Sequence, residues 1–354
     1  MKIVKFLIVL LFLAALLLGA FLLYTKQTIP VYKPQEIIFE TSQKAVLEKD
    51  TLTILTWNIG YAGLGADMDF FYDGGSRMQT SKERTISNLA AITKTLDKYS
   101  YADFIILQEV DINSKRSYGI NQEISIGKNL NQFSLFFAPN YEVELVPMPL
   151  TSPLGQVNSG LLTLTKYTPS SAIRYSYPDK HPFPEGLFMP KRCFLALRFP
   201  LSNGKHLMII NTHNSAYDSG ELRKMEMNQL KHFVEREYKN GNYVVVGGDW
   251  NQNPPTYNQQ NIDINALEHF KPAIIPDKLM GDGWKWISDP HFDSNRFLNR
   301  PYIKGKTMTT TLDFFLVSPN IRALDIKTIN NGFKHSDHQP ILIKLTLSSS
   351  AVLL

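Results

Sequence analysis

Short apolar runs with a polar side chain at or near one end recur along the chain, and they limit the folds open to it more than any other feature. Seven such runs read as strands: 52–59 (LTILTWNI), 103–110 (DFIILQEV), 160–165 (GLLTLT), 206–213 (HLMIINTH), 243–249 (YVVVGGD), 311–318 (TLDFFLVS) and 340–347 (PILIKLTL). Their aliphatic and β-branched residues suit a pleated surface buried on at least one face. Two longer stretches have helical spacing instead. In 81–99, Ile86, Leu89, Ile92 and Leu96 fall three or four apart, and Ser81 stands where a helix cap would. The stretch 219–241 ends at Gly241, in the usual stop position. Strands outnumber helices, and several adjoin with no room for a crossover helix. That argues against a doubly wound parallel sheet and for packed mixed sheets with helices outside.

One stretch, 244–255 (VVVGGDWNQNPP), shows what these runs carry. Three valines give a buried strand, and Gly247 and Gly248 let backbone or ligand come close. Asp249 and Asn251 are two apart, so in extended chain they share a face, with Trp250 opposite as a packing residue. The ordinary alternative is an Asx-rich turn after a strand. Pro254 and Pro255 end the ladder in either case.

The N-terminus has a different character. Residues 6–24 are 19 consecutive uncharged positions, the length that spans a bilayer's hydrocarbon core. A cleaved signal has a shorter apolar region and a small-residue cleavage site, so an uncleaved transmembrane anchor over 1–26 is the expectation. Lys2 and Lys5 favour keeping the short tail inside, placing the rest of the chain outside the cytoplasm at the cell membrane, although Lys26 and Lys33 blunt the asymmetry. Residues 27–50 read as a linker and 51–348 as one catalytic domain. Of 37 basic side chains three lie in residues 1–29, leaving 34 against 32 acidic ones, which is no electrostatic footprint for a duplex. The single cysteine, Cys193, excludes an intrachain disulfide.

The chemistry sits at the strand ends. Asn58, Glu109, His213, Asp249, Asn251 and Asp313 follow or interrupt separate apolar runs, and Asp337 and His338 stand in a Ser-Asp-His sequence before a run. Singly, each has an ordinary explanation as a turn residue, a solvated strand end or a satisfied histidine. Asp313 is hardest to dismiss, because an Asp inside a strand needs a partner when buried. Together they form an ordered set of motifs: TWNIG, LQEVD, NTHNS, GGDWN, TLDFFLV and SDHQP.

That set resembles the endonuclease/exonuclease/phosphatase superfamily of metal-dependent phosphoesterases, over about residues 50–347. The resemblance implies an α/β (α+β) fold, a four-layer sandwich of two packed mixed β-sheets flanked by helices, here preceded by one transmembrane helix. It implies magnesium, with manganese as the alternative, held by Glu109 with Asn58 beside it and Asp337 assisting. It makes His338 the general base, oriented by Asp313, with Asp249 and Asn251 holding the water and the phosphate. His213 becomes a donor to phosphoryl oxygens, and Asn158 a phosphate-side asparagine. Such residue types are what phosphoryl transfer needs: positive charge on the oxygens and an activated water. The acidic loop 60–75 resembles an insertion found in bacterial members, and reads equally as a wall over the site or a solvated loop. Segment 175–190 either contacts lipid or covers the sandwich. The expected substrate is a lipid headgroup or other small phosphoester, and the expected state a monomer. A nuclease, or a binding module that keeps the fold without the activity, are the alternatives.

Overall fold

The computed structural model describes residues 1–347 except 44, 219 and 260–262. Ser219 and residue 348, which the sequence reading placed at a helix start and a domain end, lie outside that description. In chain order the elements are α1 (Lys2–Thr28), β1 (Gln35–Glu40), β2 (Thr51–Asn58), α2 (Lys82–Lys98), β3 (Phe104–Asp111), α3 (Gln122–Asn129), β4 (Ser134–Val146) and β5 (Gly155–Thr165). There follow β6 (Ser171–Ser176), β7 (Cys193–Pro200), β8 (His206–His213), α4 (Glu221–Lys239), β9 (Tyr243–Asp249), β10 (Gln252–Asn253) and α5 (Ile264–His269). The chain closes with β11 (Ala273–Ile274), β12 (Lys285–Ile287), β13 (Asn295–Arg296), β14 (Thr309–Thr310), β15 (Asp313–Val317), β16 (Ile321–Thr328) and β17 (Ile341–Leu347).

Two mixed sheets carry the molecule. One has the order β1-β6-β7-β8-β9-β15-β12, the other β16-β17-β2-β3-β5-β4. The pairs β8/β9 and β2/β3 are parallel and the other pairings within these sheets antiparallel. Alternation along the strands explains the layers. Leu52 and Ile54 face the other sheet with Ile106, Leu197, Ile209, Val245, Phe315 and Ile343, while Leu55 and Trp57 face outward onto Leu89, Ile92 and Leu96 of α2 and Ile126 of α3. On the far side Val244, Val246, Ile210 and Phe314 pack on Leu230 and Phe233 of α4. Helix, sheet, sheet and helix make the four expected layers. Central strands are covered on both faces, which is why they read as near-continuous apolar runs.

Ser81 caps α2, accepting from the Arg84 N–H, and Gly241 follows α4 with φ +83°. Two sequence readings need correction. Ile86 is half exposed, and Thr85 and Asn88 take buried positions on α2 instead. The stretch 27–50 is more than a linker: β1 pairs with β6 at the sheet edge, and its Phe39 packs edge-on against Phe136. The glycines of VVVGGD serve the sheet and not a ligand. A Cβ on Gly248 (φ +148°) would lie 2.0 Å from the Thr212 carbonyl oxygen, and one on Gly247 2.5 Å from the Phe315 ring.

The helix α1 is long and apolar enough to cross a membrane. Residues 1–18 are exposed, whereas Thr25 is buried and Phe21 stacks on Phe188 with ring centroids 6.0 Å apart.

Candidate active site

Strand register brings the polar ends together. Asp313 lies opposite Asp249 across β15/β9, and Asp249 opposite His213 across β9/β8. In the other sheet Asn58 pairs with Gln108, so that Asn58 and Glu109 end adjacent parallel strands. A buried amide pair fixes the two sheets against each other just behind this row. Gln108 Nε2 donates to Asn211 Oδ1 at 2.7 Å, and Asn211 Nδ2 donates to the Leu107 carbonyl at 3.0 Å.

His338 is held on every side. Its Nδ1 is 2.6 Å from Asp313 Oδ2, and its Nε2 is 2.9 Å from Asn295 Nδ2 and 3.6 Å from Asp249 Oδ2. The Trp57 indole N–H donates to the His338 carbonyl at 2.9 Å, and the His338 N–H donates to Ser336 Oγ at 3.1 Å. The Asn295 side-chain amide lies against Nε2, and the Nδ1 proton faces the Asp313 carboxylate. Burial opposes a charge on this ring. The carboxylates of Asp313, Asp249 and Asp337 outweigh it and push the imidazole pKa well above its usual value.

Asn58 Nδ2 donates to Glu109 Oε1 at 3.1 Å and to Asp249 Oδ2 at 2.9 Å, while its Oδ1 accepts from the Gly60 N–H at 3.0 Å. Asn58 therefore stands between the two carboxylates, beside Glu109 as expected. Glu109 sits at a bulge between β3 and β5 with φ +54°, which turns its side chain into the cleft. The bulge is braced by Asp111, whose carboxylate accepts from Arg116 Nη2 at 2.9 Å and from Ser117 Oγ at 2.8 Å. Arg116 in turn lies 3.8 Å from the centroid of the Tyr61 ring.

His213 is buried, its Nε2 3.5 Å from Asp249 Oδ2 and its Nδ1 without a partner. Burial, aided by Arg192 and the neighbouring His338, holds its pKa well below the usual value, so the ring is neutral. Burial raises the Asp249 carboxyl and pushes that of Asp337 up to about 7, with Glu109 adding to the latter. Asn251 does not continue the strand. Its φ is +48°, its N–H donates to Asp249 Oδ1 at 2.9 Å and its Nδ2 to the Asn214 carbonyl at 2.8 Å. The Asx turn is therefore present, and Asn251 also lines the cleft. Trp250 packs as expected, stacked on Phe314 with its N–H on the Phe314 carbonyl.

These groups share one cavity of about 620 Å³, walled by Glu109, His213, Asp249, Asn251, Asp337 and His338 among others. Asn158 does not line it; its strand neighbour Ser159 does, together with Asn140, whose buried Nδ2 has no partner. Asn140 and Asn295 carry no sequence signal, standing in β4 and in a loop-rich stretch without a strand-end pattern. Loop 60–75 is a cavity wall, through Tyr61, Leu64, Phe70, Tyr72 and Asp73.

The donors suit a divalent cation. Asp249, Asp313 and His338 offer ligand atoms within 4.8 Å of one another, but Asp313 and His338 already satisfy each other. Glu109, Asp249 and Asp337 share the cavity, and among the described residues no lysine or arginine forms an ion pair with any of them. Converging carboxylates without a basic partner fit a hard cation taking oxygen ligands.

The chain matches the model of the Endonuclease/Exonuclease/phosphatase family over residues 55–338. An endonuclease/exonuclease/phosphatase from Beutenbergia cavernae superposes with a TM-score of 0.58 at 16% identity, covering 85% of this chain and 72% of that one. One from Bacteroides vulgatus gives 0.54 at 16% identity, covering 85% and 100%. ANGEL2, a 2',3'-cyclic phosphatase solved with adenosine-2',3'-vanadate, gives 0.53 at 15% identity, covering 90% and 99%. A comparison with curated protein sequences finds no match. The family's members are typically phosphoester hydrolases that use a divalent metal. Matched across most of its length, and with the strand-end groups gathered in one cleft, this chain belongs to the endonuclease/exonuclease/phosphatase family.

Proposed function

We propose that the protein is a magnesium-dependent phosphodiesterase or phosphatase, anchored by α1 with its cleft outside the cytoplasm, acting as a monomer on a lipid headgroup or small phosphoester. The observation that carries the reading is the His338 Nδ1–Asp313 contact of 2.6 Å, set beside the carboxylates of Glu109, Asp249 and Asp337, none of which has a lysine or arginine partner among the described residues. Glu109 and Asp337 would hold the cation, with Asp249 at its edge. A bound magnesium or manganese ion would supply positive charge for the phosphoryl oxygens and bring His338 toward its neutral form.

The residues then divide the work. Asp313 keeps the His338 proton on Nδ1, leaving Nε2 to take a proton from water. Asp249, fixed by Asn58 and by the Asn251 N–H, accepts a hydrogen bond from that water and aims it. His213, neutral, and Asn140 Nδ2 offer N–H groups to the phosphoryl oxygens as charge builds on them. The residual charge outside residues 1–29 is near balance, which favours a small ester over a duplex.

The test is hydrolysis by the full chain of a headgroup diester, an inositol phosphate and a DNA duplex, with magnesium and with excess chelator. The reading expects metal-dependent release of phosphate or phosphoester from one of the first two. Full activity in chelator, or cleavage of DNA alone, would overturn it.

A further inference from the structure

The cavity is much larger than its chemistry needs. At about 620 Å³ it falls among cavities that enclose whole small molecules, and away from His338 its walls are Leu64, Phe70, Val146, Met148, Leu154 and Phe188. An apolar space continuous with a phosphoryl site invites a substrate with an apolar part.

Where that space sits identifies the part. The uncharged residues 6–24 of α1, of which 6–18 are exposed, correspond to roughly 28 Å of helix at 1.5 Å per residue, close to the thickness of a bilayer's hydrocarbon core. The helix meets the body at Phe21, which stacks on Phe188, itself a cavity wall. Ile29, just beyond the helix, packs on the apolar cluster that contains Val146, Leu154 and Leu298. The same wall segments bear exposed apolar side chains, Leu150 between β4 and β5 and Phe183 before Phe188. The apolar rim therefore stands at the level where the anchor leaves the hydrocarbon.

Building on the hydrolase reading above, we propose that the apolar half of the cavity receives the hydrocarbon tail of an amphiphilic phosphoester, taken from the leaflet in which α1 ends. The phosphate then lies over Glu109 and His338, and the tail runs past Met148 and Phe188 toward the bilayer.

The experiment uses the full chain in phospholipid nanodiscs with magnesium and p-nitrophenyl phosphodiesters carrying methyl, butyl or octyl groups. Met148→Asp places a charge on a wall residue that is 49% exposed, so the core is untouched, and Phe188→Ala serves as an independent variant. Partition into the disc enriches long esters equally for every protein, so the reading is the wild-type to variant ratio of kcat/KM. Burial of a methylene is worth roughly three- to fourfold. The ratio is expected to rise at least tenfold from methyl to octyl; a ratio flat with chain length overturns the tail site while leaving the hydrolase standing. Titration of the same discs with methyl, butyl and octyl phosphonate needs no turnover. Octyl phosphonate binding wild type at least tenfold more tightly than Met148→Asp, without hydrolysis of any ester, would keep the tail site and sink the hydrolase.

Discussion

The 2.6 Å contact between His338 Nδ1 and Asp313 Oδ2 predicts that the two act as one unit, a sharp expectation at the residue scale. A general base contributes about 10²–10⁴-fold, so His338→Ala should slow turnover by that order, and Asp313→Asn somewhat less. The double variant should be scarcely slower than His338→Ala alone, because the second change removes a group with nothing left to orient. Losses that multiply would show that Asp313 serves only its strand. Thermal melts of all four proteins separate rate from folding. Glu109→Gln keeps the side chain's shape and removes its charge, so it should raise the magnesium concentration for half activity at least tenfold with little change in Tm. Wild-type metal dependence in that variant would remove Glu109 from the cation site. Most of these residues are legible as strand ends. Asn295 is not, because its contact with His338 spans 43 positions and depends on a single β-bridge.

At the scale of elements, the seven sequence-read strands all form, since they are the ones covered on both faces or ending at the cleft. Those that escape a pattern reading have physical reasons for it. β16 lies at a sheet edge with half of its positions exposed, so Arg322, Asp325 and Lys327 interrupt its apolar residues, and β4 mixes exposed positions with Pro139. β7 is as apolar as the rest but closes on Arg198 and Pro200, not on site chemistry. The bulge that aims Glu109 was equally hidden, because a bulge is a matter of pairing. Its brace gives a second expectation. Asp111 and Arg116 are both buried and doubly bonded to each other, and removing one partner strands a charge. Asp111→Ala should therefore cost about 3–5 kcal/mol in denaturant unfolding and lower activity as well. The same loss of stability with unchanged kcat would mean that the brace supports the fold and not the bulge.

On the whole-molecule scale the sequence separates an apolar N-terminus from a nearly neutral body, and the structure joins them. Three lysines cannot hold the chain to a membrane electrostatically once salt screens them, whereas a spanning helix is indifferent to salt. The full chain should sediment with membranes through a high-salt wash and leave them only in detergent; release by salt alone would contradict a spanning anchor. Two truncations then distinguish the helix's two jobs. Removing residues 1–18 takes away only exposed helix, so the product should be soluble with a Tm near that of the full chain. Removing residues 1–27 also deletes Phe21 and buried Thr25, leaving Phe188 uncovered at the cavity rim. Loss of such contacts is worth about 1–2 kcal/mol, and at roughly 2–4 °C per kcal/mol the second product should melt several degrees lower. Equal melting of the two would show that the last turns of α1 merely lie beside the body, and the rim would then have no fixed height above the bilayer.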